Sequence, residues 1–296
     1  MEHKPKLIVI LGPTSSGKTD MAIELAKKFD GEIVSADSRQ VYKGMDIGSG
    51  KATPAQQAQV PHHLLDVADP KDRFTVADYK ELADTAIADI TSRGKTPFLV
   101  GGTGLYISAV VDNFQIPRGD EDMNYRAELE KKSLVDLLAQ LKTEEPASYA
   151  RVDLKNKRRV TRALEVAHIS EKPFQQEKCD SVYDVLLVGI EVPREELYKR
   201  IDQRVNDRIA EGMVEEVQRL LKEGVTEKQM YDFGQEYRSC LQFIQGEWKT
   251  KEEMAQRLKY AIHGFARRQG TWFRKDKRIV WIKDQKEAEE VIYKWL

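Results

Sequence analysis

The nine residues LGPTSSGKT, Leu11 to Thr19, follow directly on the apolar run LIVI, and they constrain the fold more than any other stretch of the chain. They fit the pattern G-x-x-x-x-G-K-[ST], with Gly12, Gly17, Lys18 and Thr19 in the fixed positions. A short apolar run stopped by glycine reads as a buried strand. Beyond the loop, Met21, Ala22, Leu25, Ala26 and Phe29 recur on one stripe of a helix. Strand, loop and helix therefore agree, which argues against a chance glycine-rich turn. The glycines let consecutive backbone N–H groups point inward, and the helix N-terminus adds partial positive charge. Lys18 can reach terminal phosphate oxygens, and the Thr19 hydroxyl can ligate magnesium. A loop so built recognises a diphosphate-like anion, and nothing in it demands adenine.

Strand and helix signals keep alternating after the loop. EIVSAD reads as a second strand, TPFLVGG as a third, and DVLLVGIEV and RIVWI as two more. FTVADYKELADTAIADITSRG reads as an amphipathic helix ending at Gly94, and TGLYISAVVD as another helix. This alternation predicts an α/β fold, a parallel sheet covered by helices on both faces. The polar stretch from Ser38 to Pro70 is too long for a passive connection, which marks it as functional. From Ile116 onward the pattern becomes charged and helical, without a strand until Asp184. Residues 117–183 are therefore read as a helical insertion, and 1–116 with 184–296 as the core and its C-terminal helices.

Nucleotide-hydrolysing relatives of such loops carry an acidic residue at the end of a later strand, where it holds magnesium. Here the third strand ends in VGGTG, with no carboxylate. The nearest acid is Asp37, at the end of the second strand. In a parallel sheet the carboxyl ends of the strands share one rim. Gly12–Thr19, Asp37 and Gly101–Thr103 are expected to converge there. Asp37 fits a magnesium ligand in a kinase or a general base in another transfer; its bland role is a turn cap. Gly101-Gly102-Thr103-Gly104 permits close approach of a ligand, although a tight turn with a threonine cap accounts for it equally well.

Composition excludes whole classes. The net charge of −1 rules out a globally basic nucleic-acid binder. Two distant cysteines, Cys179 and Cys240, argue for a reducing compartment and against a disulfide framework or structural zinc. No apolar run approaches the roughly 18 residues of a membrane span. A cytoplasmic protein is expected. Local basic patches do exist. Lys155 to Arg162 holds five basic residues in eight. A second patch runs from Arg257 to Arg278, with eight Lys or Arg against the single acid Asp276. Its ARRQGTWFRK interleaves arginine with Trp272 and Phe273, charge for a backbone and rings for stacked bases. Alone, the first patch reads better as a solvated helix face pairing with acids such as Glu165; the second could equally have Trp272 and Phe273 in the core with its arginines outside. After Pro193, Leu197, Ile201, Val205 and Ile209 face the core, while Arg200, Arg204 and Arg208 form a stripe beside them. Pairing such as Glu196 with Arg200 accounts for most of that stripe. His62 and His63 are adjacent and point apart on any regular element, so a loop role is expected rather than a shared metal.

Taken in order, GPTSSGKT, SADSRQVYKGMDIGS, PHHLLDV, GGTGLY, RRVTRALEV and RRQGTWFR resemble the tRNA dimethylallyltransferase (isopentenyltransferase) family over nearly the whole chain. The resemblance implies a P-loop kinase-like fold that binds a prenyl diphosphate. It implies magnesium-dependent transfer of a dimethylallyl group from dimethylallyl diphosphate to N6 of the adenosine 3′-adjacent to the anticodon of tRNA. Gly12 and Thr14, Ser15, Ser16, Gly17, Lys18 and Thr19 would hold the diphosphate, with Thr19 also the metal ligand. Asp37, Thr19 and Arg204 would serve catalysis. Asp37, Ser38, Arg39 and Gln40, Thr103, and Arg158, Arg159, Val160, Thr161 and Arg162 would contact tRNA. A monomer is expected, with no membrane partner. YRSC stands where the family often has YRE, and ARRQ where AKRQ is common. The zinc finger of many eukaryotic members has no counterpart here.

The rival is a small-molecule or nucleotide kinase, which shares the loop but leaves the basic patches and added helices unexplained. An adenylate isopentenyltransferase leaves the basic helices without a task. A nucleotide-switched RNA-binding protein leaves Asp37 without one.

Overall fold

The described residues of the computed structural model are 4–116, 122–169 and 179–296. Six strands form one parallel sheet: β1 Lys6–Leu11, β2 Gly31–Ala36, β3 His62–His63, β4 Thr96–Gly101, β5 Asp184–Ile190 and β6 Val280–Ile282. Their order is β3-β2-β4-β1-β5-β6. Side chains alternate across a strand, so β1 serves two cores. Leu7, Val9 and Leu11 join one cluster with Val34, Leu99 and Leu187. Ile8 and Ile10 join another with Ile33, Phe98 and Val188. Burial on both faces is why these strands read as continuous apolar runs.

Helix Lys18–Lys28 follows the loop, and helix Val76–Ser92 begins in a reciprocal cap between Thr75 and Asp78. That helix gives way at Gly94, whose φ of 74° suits glycine. Gly104–Val111, Arg194–Ala210, Met213–Lys222, Gln235–Ile244 and Lys251–Phe273 are further helices. Among the described residues, no helix is long and apolar enough to cross a membrane.

His62 and His63 depart from the loop expectation: they form the edge strand β3, paired with Ile33 and Val34. Their rings do point apart. His62 Nδ1 meets the Val60 carbonyl at 2.7 Å, and His63 Nε2 meets Glu32 at 2.7 Å. The long stretch after β2 is ordered around Lys51. Its buried ammonium bonds Asp46 and Asp66, each at 2.6 Å, and the Tyr42 carbonyl at 2.9 Å. Both cysteines are free; Cys240 is buried, which pushes its thiol up to about 12.

The chain divides into two compact units, one within Met1–Val111 and Ser181–Leu296, the other within Asp112–Asp180. The expected start of the insertion, residue 117, lies outside the described residues. The second unit has helices Met123–Lys131, Leu134–Glu144 and Lys157–Ile169 around a core that includes Leu129, Leu137, Leu141, Val160 and Leu164.

Candidate active site

The register of the sheet brings the rim together. Leu11 of β1 and Ala36 of β2 both pair with Gly101 of β4, so three adjacent strands end level. At strand spacings near 4.8 Å, the outer two ends lie roughly 10 Å apart. The turns that follow them carry the loop, Asp37 and Gly102–Thr103. A cavity of about 400 Å³ opens there, and its lining includes Lys18, Thr19, Asp37, Thr103, Arg204 and Gln269. A second cavity of about 750 Å³ lies on the other side of Lys18, Thr19, Gly50, Arg204 and Arg208, which line both.

The loop reaches its shape through two left-handed residues, Ser15 at φ 61° and Gly17 at φ 87°. Thr14, Lys18 and Thr19 line the first cavity, and Ser15, Gly17, Lys18 and Thr19 the second. Gly12 and Ser16 line neither. Ser16 is buried beneath the loop, with its N–H bonded to the Pro13 carbonyl at 3.3 Å and its hydroxyl without a hydrogen-bond partner. Gly12 leaves room for that hydroxyl, which would sit 2.7 Å from a Cβ. Burial pushes the Lys18 ammonium down to about 8, with Asp37 opposing and Arg204 and Arg208 reinforcing the fall. Burial likewise lowers Arg204 to about 10, with Arg208 adding to the effect. Cations so desolvated and crowded favour an anionic ligand.

Asp37 takes the turn-cap role. Its Oδ1 accepts the Arg39 N–H at 2.9 Å and caps the turn; Oδ2 has no protein hydrogen bond among the described residues. Thr103 Oγ1 accepts the Ser38 N–H at 3.1 Å, and the Thr103 N–H reaches the Ala36 carbonyl at 3.2 Å. The β2 and β4 turns are thus stitched together. Gln40 braces the loop beyond: it accepts from Ser35 Oγ and donates to the Gly50 carbonyl, both at 3.0 Å. Arg39 donates to the Asp232 carbonyl at 3.1 Å.

The arginine stripe splits along its length. Arg200 pairs with Glu196 at 2.9 Å, as i,i+4 spacing predicts. Arg200 also lines the second cavity, whereas Arg204 and Arg208 line both, and Arg208 donates to the Gly48 carbonyl at 3.0 Å. Gly50, at φ 59°, is moulded on these two: a Cβ there would meet Arg208 Nη2 at 1.6 Å and Arg204 Nη2 at 2.1 Å. The sequence signal for Arg208 was its place on the stripe; for Gly50 it was only a glycine in a polar stretch.

In helix Lys251–Phe273 the two adjacent aromatics separate. Phe273 is fully buried, whereas Trp272 and Phe265 are each 42% exposed at the cavity wall. In the second unit, Arg158 and Arg159 are exposed and Arg162 is half-buried. Val160 packs in the small core and Thr161 is buried, so neither turns its side chain outward. Arg162 bonds Glu165 at 3.0 Å.

No three or more His, Cys, Asp or Glu side chains cluster as a metal cage among the described residues. The hydroxyl of Thr19 and the carboxylate of Asp37 do line one cavity. Such a donor set fits a magnesium ion that keeps several waters and takes its remaining oxygens from a phosphate ligand.

Comparison with known proteins gives concordant results. The profile of the family described as "IPP transferase" matches residues 40–276, and that described as "Isopentenyl transferase" matches residues 5–72. A tRNA dimethylallyltransferase of Roseiflexus sp. (strain RS-1) is 42% identical, with 98% of each chain covered. One from Roseiflexus castenholzii is 45% identical over 93% of this chain and 91% of its own. Among solved structures, the full-length tRNA isopentenylpyrophosphate transferase of Bacillus halodurans superposes with a TM-score of 0.73 at 37% identity, covering 98% of this chain and 95% of that one. A eukaryotic dimethylallyltransferase acting on tRNA gives a TM-score of 0.79 at 25% identity, covering 95% and 74%.

Proposed function

Because this chain belongs to the tRNA dimethylallyltransferase family, we propose that it transfers a dimethylallyl group from dimethylallyl diphosphate to N6 of the adenosine 3′-adjacent to the anticodon in tRNA, releasing diphosphate. The observation that carries the reading is the meeting of Lys18, Thr19, Asp37 and Arg204 around one cavity on the sheet rim. Two free cysteines suit a reducing, cytoplasmic setting.

In this reading the loop holds a leaving group. The allylic C–O bond breaks, its electron pair goes to the diphosphate, and a new bond joins carbon to N6. Negative charge grows on the diphosphate, where Lys18 and Arg204 already line the cavity, so little reorganisation is needed. Magnesium, held by Thr19, would supply further neutralisation of that charge when bound. Asp37 takes the hydrogen bond, and then the proton, of the exocyclic amine through Oδ2, while Oδ1 stays fixed on the Arg39 N–H. The target base must first leave its stack, at a cost of a few kcal/mol offset by interactions along the RNA. The exposed rings of Phe265 and Trp272 offer stacking surfaces at the cavity wall.

The test combines purified protein, magnesium, dimethylallyl diphosphate and an unmodified tRNA transcript, and follows diphosphate release together with the mass of the RNA. One dimethylallyl group per diphosphate is expected. An unmodified transcript, with ATP consumed in phosphorylating a metabolite, would overturn the reading in favour of a kinase. Asp37→Ala should retain tRNA binding and lose roughly 10²–10⁴-fold in turnover; undiminished turnover removes Asp37 from the mechanism.

A further inference from the structure

One side chain links the phosphate loop to a helix far away in sequence. Gln269 Oε1 accepts the Thr14 N–H at 3.0 Å, and Gln269 Nε2 donates to the Gly102 carbonyl at 2.8 Å. The two partners are of opposite kind, one donor and one acceptor, so a single orientation of the carboxamide satisfies both. The fit extends to the backbone. A Cβ on Gly102 would stand 2.7 Å from Gln269 Nε2, so the glycine leaves the space that the carboxamide fills.

The helix that supplies Gln269 also supplies the cavity wall. Phe265, Arg268, Gln269 and Trp272 recur at intervals of three, one and three, which puts them on one face. The same face thus presents exposed rings and a guanidinium to the cavity and bonds the turns after β1 and β4. Both turns are glycine-rich, so their spacing owes little to side chains of their own. A further consequence concerns Thr14. With its N–H already bonded, Thr14 has its hydroxyl left to offer a ligand in the cavity it lines.

We propose that Gln269 is a positioning residue: its carboxamide holds the phosphate loop against the β4 turn and fixes both to the cavity-facing side of helix Lys251–Phe273. The assignment of that helix face to RNA rests on the transferase reading; the effect on diphosphate does not. Gln269→Met keeps the length of the side chain and removes both hydrogen bonds. Gln269→Glu keeps an acceptor for Thr14 but sets a carboxylate against the Gly102 carbonyl and beside the anion.

The experiment titrates inorganic diphosphate, with magnesium, into wild type and variants by calorimetry, alongside KM for dimethylallyl diphosphate, tRNA affinity and melting temperature. Gln269→Met should weaken diphosphate binding and raise the donor KM roughly tenfold, as two ordinary hydrogen bonds convert. Gln269→Glu should lose more. The tRNA affinity should stay within about twofold, a selectivity that general destabilisation would not give. Gly102→Ala should cause a similar loss, and adding Gln269→Ala should restore part of it. Diphosphate binding by Gln269→Met within about twofold of wild type overturns the proposal. So does a parallel fall in tRNA affinity and melting temperature, or no recovery in the double variant. If wild type prenylates no RNA, the transferase reading fails separately, and the diphosphate titration still decides the role of Gln269.

Discussion

Glu216 offers a test of what shapes the cavity. It lies in helix Met213–Lys222, is 6% exposed, and has three successive backbone donors converging on it. Oε2 accepts the N–H groups of Asp46 and Ile47 at 2.9 and 2.8 Å; Oε1 accepts the Gly48 N–H and the Tyr237 hydroxyl, both at 3.0 Å. Burial, and after it the Glu216 carboxylate, raises Tyr237 well above the usual phenol range, so its hydroxyl stays a donor. The loop so pinned carries the Gly48 carbonyl that holds Arg208 and the Gly50 carbonyl that holds Gln40.

In Glu216→Gln one oxygen becomes an NH2 group. Turned one way, the amide's NH2 faces the Asp46 and Ile47 N–H groups; turned the other, it strands only the Gly48 N–H, because the Tyr237 hydroxyl can rotate and accept. At about 1–3 kcal/mol for each donor stranded in a buried site, the better orientation costs roughly 1–3 kcal/mol. That is a measurable part of the stability of a typical domain, about 5–15 kcal/mol. Urea unfolding at neutral pH measures it, and Tyr237→Phe, which removes one of the four donors, should cost only about 1 kcal/mol. Because the loop also seats Arg208, kcat for the transfer should fall with Glu216→Gln. A loss under about 0.5 kcal/mol with native kcat would refute the claim that this carboxylate organises residues 46–50.

Three further outcomes are expected. Lys18→Ala should weaken binding of dimethylallyl diphosphate far more than binding of tRNA, as paired titrations would report; equal losses would count against the loop as donor site. Replacing Arg158 and Arg159 by alanine should flatten the salt dependence of tRNA binding by about 0.7–0.9 in log–log slope for each phosphate that is no longer neutralised; an unchanged slope would return those arginines to a solvated surface. Hydrogen bonds from Arg93, then from His63, hold the buried Glu32 carboxylate down to about 2, below its ordinary 4.5. A lowered folded-state value contributes stability that is complete above the unfolded value and is lost as pH falls from about 4.5 toward 2. Because Arg93 is 41% exposed, the contribution is set at about 2 kcal/mol rather than the full conversion. Urea midpoints of wild type and Glu32→Gln should differ at pH 7 and approach one another below pH 3.

Much of the sheet was legible because its signals are local. The LIVI run is apolar at every position because β1 is buried on both faces, and glycine marks where it stops. Asp37 was legible by position alone, since a residue just past a parallel strand must lie on the rim. Strand β3 was not: it has two residues, both histidine, and is held by pairing with Ile33 and Val34 rather than by any apolar pattern. The ring of Trp272 and that of Phe273 are neighbours in sequence, yet helical rotation exposes one and buries the other. Val160 and Thr161 sit within a basic stretch, but their positions on the helix turn them toward the second unit's core or bury them. Gln269 was hidden for a different reason. Its partners stand 255 and 167 residues away, and no local pattern distinguishes a bridging glutamine from a solvated one.

The distribution of charge explains why a phosphate-binding loop can serve this chemistry without the acidic residue of nucleotide-hydrolysing enzymes. The turn after β4 runs Gly101-Gly102-Thr103-Gly104 and presents no carboxylate. Around the cavity, Lys18, Arg204 and Arg208 gather on the loop side, and Glu236, at 3.7 Å from Arg208, offsets only part of their charge. Asp37 lines the same cavity, with one oxygen tied to its own turn. In phosphoryl transfer the loop must neutralise a group that both arrives and departs, so metal-holding carboxylates share the site. In the proposed alkyl transfer the diphosphate only departs. Negative charge accumulates beside the cations while the amine sheds a proton toward Asp37. A preorganised cavity that holds both cations and a carboxylate lowers the cost of that separation, because its dipoles need not reorient as the charges form. Thr103→Asp would add a second carboxylate to the rim, on the turn bonded to Ser38 next to Asp37. The same reasoning predicts that this variant transfers the dimethylallyl group more slowly without any gain in ATP hydrolysis, as parallel assays of diphosphate and ADP would report.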